Sequence, residues 1–174
     1  MTGVARPYAL MARNNAWANA TLHGAAGTLS AEALAAPAPG FFPSLAATLN
    51  HILAVDRYYL DALEAGGRGR RVYDAPEIAD PAALAAAQAA EDRRLVAFCD
   101  RLTEETLRET RETERAAAPA TETVEALLLH LFQHQIHHRG QAHVQLQSAG
   151  VAPPQLDDFH LEFDRAPSAG AYLP

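Results

Sequence analysis

The chain has 174 residues, of which 49% are hydrophobic, and its formal net charge at pH 7 is −7. This length suits one domain with a single sizeable core, and the acidic balance argues against nucleic acid, because phosphate-binding surfaces carry clustered Lys and Arg. The single cysteine, Cys99, cannot form an internal disulfide, and no signal peptide or membrane span is recognisable. We therefore expect one domain over residues 1–174 in a reducing cytoplasm, with no membrane partner.

An all-α fold is predicted, because alanine and leucine dominate the long segments and the β-branched and aromatic runs typical of strands are missing. The first predicted helix runs from about Pro7 to Leu29 and is followed by the loop "APAPGFFPS". A second helix begins near Pro43, where Ser44 suits the cap, and ends at Gly66 and Gly67.

The second half of the chain predicts two more helices. Asp80 as cap and Pro81 in the first turn open the third helix. The charged segment "TEETLRETRETERAAAPA" is interpreted as a helix end plus a solvated connector, and the fourth helix runs from about Thr121 or Thr123 to Gly150, before an irregular tail. Four such helices bury their apolar stripes best as a bundle, and the long connection between the second and third permits a crossover.

The fourth predicted helix contains "HLFQHQIHHRGQAH", which holds five of the chain's eight histidines. On a helical wheel, His134 and His138 lie on or within the arc of apolar residues that faces the core, whereas His130 and His137 fall outside it. Their spacing of four residues places both imidazoles on one face, as in helices that offer two ligands to one metal. The arc consists of Val124, Leu127, Leu128, Leu131 and Ala142.

A third ligand is expected from a neighbouring helix, and His51 is the candidate. It lies in the apolar stretch "TLNHILAVD", with Ala47 and Val55 one turn away on either side. The alternative is a core histidine that hydrogen-bonds a carbonyl. A divalent cation would satisfy three buried imidazoles at once, which favours a metal site.

Four stretches of the chain together resemble the DinB-like (DinB/YfiT-like) family of metalloenzymes: "WANATL", "LNHILAVDRYYLDAL", "HLFQHQIHHRGQAH" and "GVAPPQLD". The resemblance covers most of the chain and implies a four-helix bundle in up, down, down, up order, often as a homodimer. It also implies metal ligands at His51, His134 and His138. Members include transferases and isomerases that use low-molecular-weight thiols, and the family name records DNA-damage induction, a stress response, rather than DNA binding.

Three neutral histidines leave coordination positions open, so a bound metal would activate water or a thiol. Zinc is the default, with nickel and iron(II) as alternatives. Two functions are therefore open: a metal-dependent transferase or hydrolase, and a non-catalytic metal-binding stress-response protein. No general base stands out, and Gln135 occupies the position where zincin-like proteases carry glutamate, which disfavours peptidase chemistry.

Several polar and aromatic residues near these histidines have two interpretations each. Gln141 either supports a ligated ring or contacts substrate or solvent, and Arg139 either anchors an anionic substrate or pairs with an acid on an adjacent helix. Asn50 and Asp56 either orient His51 or face solvent. Three aromatic residues either line a pocket or belong to the core: Trp17, Tyr58 and Tyr59.

The fourth helix also has a second apolar face in projection, made of Leu129, Phe132 and Ile136. A helix that is apolar on two sides is normally covered on both. We expect a homodimer to cover this face, with the tail from Leu156 to Phe163 as the alternative.

Overall fold

The computed structural model describes residues 3–162 and 165–173. Helices account for most of this part of the chain, together with two short strands. In chain order the elements are α1 Arg6–Ala26, α2 Ala31–Ala35, α3 Leu45–Leu63, a 3-10 helix Gly69–Asp74, α4 Pro81–Cys99, α5 Glu104–Arg108, β1 Thr110–Thr113, β2 Ala120–Thr123, α6 Val124–Ser148 and a 3-10 helix Pro167–Ala171.

The four long helices α1, α3, α4 and α6 pack around a common core. Helix α1 contacts α4 and α6, and α3 contacts the same two helices. The predicted all-α bundle is therefore confirmed, while the up, down, down, up order stays a prediction from the resemblance. Within the described residues no helix is both long enough and apolar enough to cross a membrane.

Side-chain caps set the starts of three long helices where the sequence predicted them. The Ser44 hydroxyl accepts a hydrogen bond from the amide of Ala47, and Asp80 caps α4 through the amide of Ala83. Thr123 caps α6 in the same way, so of the two predicted starts the later one is correct. Each cap satisfies a backbone donor that has no partner inside its helix.

The prediction of a strand-free connector before α6 was wrong. Residues 110–113 and 120–123 form an antiparallel hairpin in which Thr110 pairs with Thr123 and Thr113 with Ala120. Each strand contains two threonines, which supply the β-branched side chains that a short strand favours. The many charges in this segment concealed that signal. The hairpin leads directly into α6, because the amide of Val124 donates to the carbonyl of Glu109.

The second apolar face predicted for α6 does not exist as proposed. Phe132 is only 4% exposed and belongs to the main core with Ala9 and Ala12 of α1. Because α6 packs against both α1 and α3, its buried arc is wider than the arc drawn for one partner. Of the three residues of the predicted face, only Leu129 and Ile136 are exposed, at 49% and 53%.

The C-terminal segment packs on α1. The ring of Phe159 lies 5.6 Å from that of Trp17, whose indole N–H donates to the Ser168 hydroxyl over 3.0 Å. Leu156 packs against the same cluster, whereas Phe163 lies outside the described residues. Trp17 is therefore a core residue, and the described tail covers this part of α1 rather than Leu129.

Candidate metal centre

Three histidines from two helices meet inside the bundle. His51 comes from α3, and His134 and His138 come from successive turns of α6. The Nε2 atoms of His51 and His134 are 3.0 Å apart, and the ring of His138 lies 4.3 Å from that of His134 and 4.6 Å from that of His51. One nitrogen from each ring falls within 4.8 Å of the other two. A single ion can be reached by all three rings.

The apolar pattern of the two helices turns these rings inward. Leu49 and Ile52 are buried beside His51 on α3, which leaves that ring half-buried. On α6, His138 is buried and His134 is half-buried, whereas His130 and His137 are exposed. The inward histidines are thus those selected by the helical wheel and by the resemblance. The remaining histidine of the motif, His143, bonds the carbonyl of Pro154 away from the cluster.

Burial keeps the clustered imidazoles neutral. Desolvation, followed by the nearby His138, lowers the pKa of His51 to about 4. Desolvation and the neighbouring histidines lower the pKa of His134 to about 3, and the pKa of His138 is also lowered by burial. The neutral ring is the form that binds metal. Moreover, Nδ1 of His134 is buried and has no hydrogen-bond partner within the described chain.

Gln141 takes the first of the roles foreseen for it, because it supports a ring of the cluster. Its Oε1 lies 2.9 Å from Nδ1 of His138, and its Nε2 lies 3.0 Å from Nε2 of His137. Since an amide oxygen only accepts, Nδ1 of His138 carries the proton and donates. The lone pair is then left on Nε2 of His138. Gln141 thereby fixes the tautomer in which that nitrogen is a ligand.

Phe42 covers part of the cluster and was not predicted from the sequence. Its ring lies 4.5 Å from the ring of His51 and 5.5 Å from that of His138. The Phe42 carbonyl accepts from Nε2 of Gln145, whose Oε1 accepts from the Thr48 hydroxyl at 2.7 Å. The loop before α3 is therefore fastened to α6. The aromatic pair in "APAPGFFPS" was a signal for this contact, because large apolar residues are unusual in a loop of prolines and glycine.

A cavity of about 350 Å³ adjoins the cluster on the side of His51. Phe42, Arg57 and Tyr73 are among its lining residues. Arg57 is held by Glu91, with 3.2 Å between Nε and the carboxylate. A small molecule in this cavity would lie beside the His51 ring.

Among the described residues Arg139 does not form the ion pair with an acid on an adjacent helix that was one of its two foreseen roles, and the other role, anchoring an anionic substrate, stays a prediction. Its Nη1 donates to the side-chain oxygens of Asn15, Asn19 and Gln135, at 2.5, 3.0 and 3.2 Å. The guanidinium thus joins a buried polar layer between α1 and α6, and the acid expected as its partner is reached only through these amides. Asp92 accepts from Asn15 and Asn19 at 3.1 and 2.9 Å.

Asp56 and Asn50 do not orient His51. Asp56 is buried and accepts from the amide groups of Gln88 and Gln135. Asn50 instead holds the loop after α3, because its amide oxygen accepts from the backbone of Ile78 at 2.8 Å. Tyr58 and Tyr59 are core residues, each 5% exposed.

The chain is similar to one known protein family and to solved structures of DinB-like proteins. The DinB family matches residues 3–166 of the chain. Among solved structures, a DinB-like protein from Bacillus cereus ATCC 10987 is 19% identical, with a TM-score of 0.63 over 80% of this chain and 90% of its own. The DinB-like protein YjoA from Bacillus subtilis is 21% identical, with a TM-score of 0.60 over 80% of this chain and 91% of its own.

At these identities the structural likeness shows the fold alone. A search of curated proteins gave no match. The family match spans nearly the whole chain and includes all three clustered histidines. The chain therefore belongs to the DinB family.

Proposed function

We propose that His51, His134 and His138 bind one divalent metal ion. The support is their geometry, because one nitrogen from each ring lies within 4.8 Å of the others. Three nitrogens bound to one tetrahedral zinc are separated by about 3.3 Å, given zinc to nitrogen distances of about 2.0 Å. The 3.0 Å between Nε2 of His51 and Nε2 of His134 is already near that value. Small side-chain movements suffice to complete the site.

The donor set favours zinc, with nickel and iron(II) as alternatives. All three donors are imidazole nitrogens, a set that suits each of these ions. Cys99 does not add a thiolate, because it is fully buried in the core at the end of α4 and burial raises its pKa to about 12. With three protein ligands, at least one position stays open for water or another small ligand.

We further propose that the protein is a metal-dependent enzyme, a thiol-dependent transferase or a hydrolase. The observation that carries this proposal is the cavity beside His51, which gives a small molecule a route to the cluster. A bound divalent ion would lower the pKa of water or of a low-molecular-weight thiol toward neutrality. The chain contributes two contacts of its own: Gln141 fixes the tautomer of His138, and Phe42 packs against the rings of His51 and His138.

The competing function is a non-catalytic metal-binding stress-response protein. It is favoured by the position of Phe42, whose ring packs on both His51 and His138 and narrows access to them. Peptidase chemistry is disfavoured in either case. Gln135 stands where a zincin-like protease carries its glutamate, and its amide is fully buried and donates to Asp56.

Cobalt(II) substitution followed by thiol titration tests the proposal. Cobalt reports its coordination in the visible spectrum, so a thiol that enters an open position produces a new thiolate-to-cobalt absorption band. Phe42→Ala should strengthen thiol binding by removing the ring that covers the histidines. Phe41→Ala is the matched control, because Phe41 is 81% exposed and, among the described rings, its ring contacts Phe42 but none of the three histidines.

Two results would contradict the enzymatic proposal. One is a cobalt spectrum that no thiol, azide or other small ligand alters in either the parent protein or Phe42→Ala. The other is an absence of metal-dependent turnover when thiols are screened with electrophilic substrates. Failure to bind any divalent ion would overturn the metal site itself.

A further inference from the structure

A second cavity, of about 500 Å³, lies between α1, α6 and the C-terminal segment. We call it the α1/α6 cavity; its walls include Met11, Asn14, Ile136, Arg139 and Leu156. The α6 residues among these point about 120° to 180° away from the direction shared by His134 and His138. Helix α6 therefore separates this cavity from the histidine cluster. Its volume is in the range that takes a small organic molecule.

Asn14 brings a side-chain amide to the wall of this cavity. It is 9% exposed, and within the described chain its amide makes no hydrogen bond. The contrast with two neighbours on α1 is sharp, because Asn15 and Asn19 are each 1% exposed and each bonds both Asp92 and Arg139. The Asn14 amide is not among the polar atoms that are cut off from solvent, so water can reach it in the empty cavity. A ligand that displaces this water must replace its hydrogen bonds to keep affinity.

Arg139 offers a positive charge at the same wall. It is 5% exposed, and only its Nη1 donates hydrogen bonds to the described residues. Nη2 and Nε donate none there, and none of the described carboxylates forms an ion pair with the guanidinium. Asp56 and Asp92 act on the guanidinium only through space, because amide side chains lie between them and Arg139. A buried charge without a directly bonded counterion is costly. A planar carboxylate can accept two parallel hydrogen bonds from Nε and Nη2, the two guanidinium nitrogens that bond no described residue.

The rest of the cavity is mostly apolar. Its apolar lining comes from Met11, Ile136, Pro154 and Leu156, and three further polar residues line it as well: His143, Gln155 and His160. Asp157 also lines it but is exposed, so that its charge is hydrated at the solvent side. An apolar wall with a buried amide and a buried guanidinium suits a ligand with an apolar body and one anionic end.

We propose that the α1/α6 cavity binds a small organic monocarboxylate. The carboxylate bonds the free guanidinium nitrogens of Arg139 and the amide of Asn14, and the hydrocarbon body packs on Met11, Ile136 and Leu156. This site differs from the metal centre in position and in chemistry. Its occupancy does not require a metal ion.

Binding of octanoate, measured by isothermal titration calorimetry, tests the proposal. The parent protein should bind one octanoate per chain, both as purified and after treatment with a chelator. Octanol has the same chain without the charge and should bind at least about tenfold more weakly, because charge-assisted hydrogen bonds are absent. The chelated sample separates this site from the metal centre, where a carboxylate can also ligate an ion.

Two variants should weaken binding in the α1/α6 cavity, one by occupying its space and the other by adding a negative charge. Gly140 lines the cavity, and a Cβ at this position meets no atom within 4 Å, so a side chain can begin there without a clash. Gly140→Leu therefore occupies part of the cavity and favours the helix. Asn14→Asp places a carboxylate beside Arg139 and supplies the counterion internally. Each variant should weaken octanoate binding by at least about tenfold.

The control is Gly24→Leu, a helical glycine on α1 that is likewise open around its Cβ and lies outside the cavity. It should retain the parent affinity. Octanol binding as tight as octanoate binding, loss of octanoate binding on chelation, or unchanged binding in Gly140→Leu would each overturn the proposal. Because Gly140→Leu is expected to fold at least as stably as the parent, a lost signal cannot be ascribed to unfolding if its circular dichroism is preserved.

Discussion

Nε2 of His51 lies 3.0 Å from Nε2 of His134, although 83 residues separate the two in the chain. In a metal-free protein only one of these nitrogens can carry the proton of the shared hydrogen bond. The other nitrogen therefore presents its lone pair to the same small space. With His138 beside them, the two rings form a donor set that one ion can join.

Histidine replacements should separate ligands from bystanders. His51→Ala, His134→Ala and His138→Ala should each abolish stoichiometric metal content, because two imidazoles rarely hold a divalent ion tightly. His130→Ala and His137→Ala should keep it, since both rings are exposed outside the cluster. Elemental analysis gives the metal content, and far-ultraviolet circular dichroism checks the fold. Full occupancy in His134→Ala would defeat the assignment.

Gln141→Leu should weaken metal binding by about tenfold, because supporting hydrogen bonds to ligating histidines typically contribute that much. The change removes the oxygen that lies 2.9 Å from Nδ1 of His138. Gln147→Leu is the control, since Gln147 is an exposed residue near the end of the same helix. Competition with a chromophoric chelator measures both affinities. Equal affinity in the two variants would mean that the Gln141 contact does not hold the ring for binding.

Much of the metal centre was predictable because its residues follow helical periodicity. The capping residues Ser44 and Asp80 and the inward positions of His134 and His138 all depend on spacing within one helix, which the sequence displays directly. The support from Gln141 also follows from its distance of three residues from His138. Local geometry fixes such features before any tertiary contact is known.

The features that were missed depend on contacts between distant segments. Phe42 covers His51 only because Gln145, 103 residues away from Phe42, anchors the loop carbonyl. Phe132 is buried because α1 packs beside α6, and a wheel of α6 alone does not contain α1. The short hairpin before α6 combined weak strand signals with high charge, so that its pairing was not visible in composition.

The stability of the protein should fall as pH rises above about 6.5, because two buried carboxyl groups must then ionise. Burial, followed by Asp92, raises the pKa of Asp56 to about 8, and burial raises that of Asp92 to about 7. In the unfolded chain both titrate near 3.9. The folded state therefore binds more protons than the unfolded state. The contribution of these two groups to the free energy of unfolding is lost as pH rises through the folded pKa values.

Urea unfolding between pH 6.5 and 9 measures this dependence. Buried histidines have lowered pKa values and act in the opposite sense, but only below about 6.5, where the unfolded rings titrate. Asp56→Asn should flatten the curve, and the unpartnered Oε1 of Gln88 offers its new amide an acceptor. Asp74→Asn, at an exposed position, should leave the slope unchanged. A parent protein whose stability rises over this range would contradict the argument.

The C-terminal segment should contribute measurably to stability through Phe159. Phe159→Ala removes a ring that is 3% exposed and lies 5.6 Å from the ring of Trp17. Loss of a buried phenyl group costs about 3 kcal/mol in the free energy of unfolding. Because Trp17 is the chain's one tryptophan, its emission should also shift to longer wavelength as water reaches the indole. Phe41→Ala, at an 81% exposed position, should change neither property.

Leu129 and Ile136 should form part of a homodimer interface. They lie seven residues apart on α6, are 49% and 53% exposed, and therefore make an apolar strip along one side of the helix. A symmetric dimer would bring this strip against its own copy. Leu129→Glu places a charge in the strip and should convert a two-subunit species into a monomer in light scattering. Leu129 is the better site for this test because Ile136 also lines the α1/α6 cavity.

Leu161→Glu controls for the general effect of an added charge at an exposed leucine. Leu161 is 45% exposed and lies in the C-terminal segment rather than on α6. It should leave the parent mass unchanged, and both variants should keep the parent's helical circular dichroism. Phe132→Glu is unsuitable, since Phe132 is buried in the chain's own core and its replacement would unfold the bundle. A parent protein that is monomeric at micromolar concentration, or a Leu129→Glu variant that stays dimeric, would mean that the strip is not the interface.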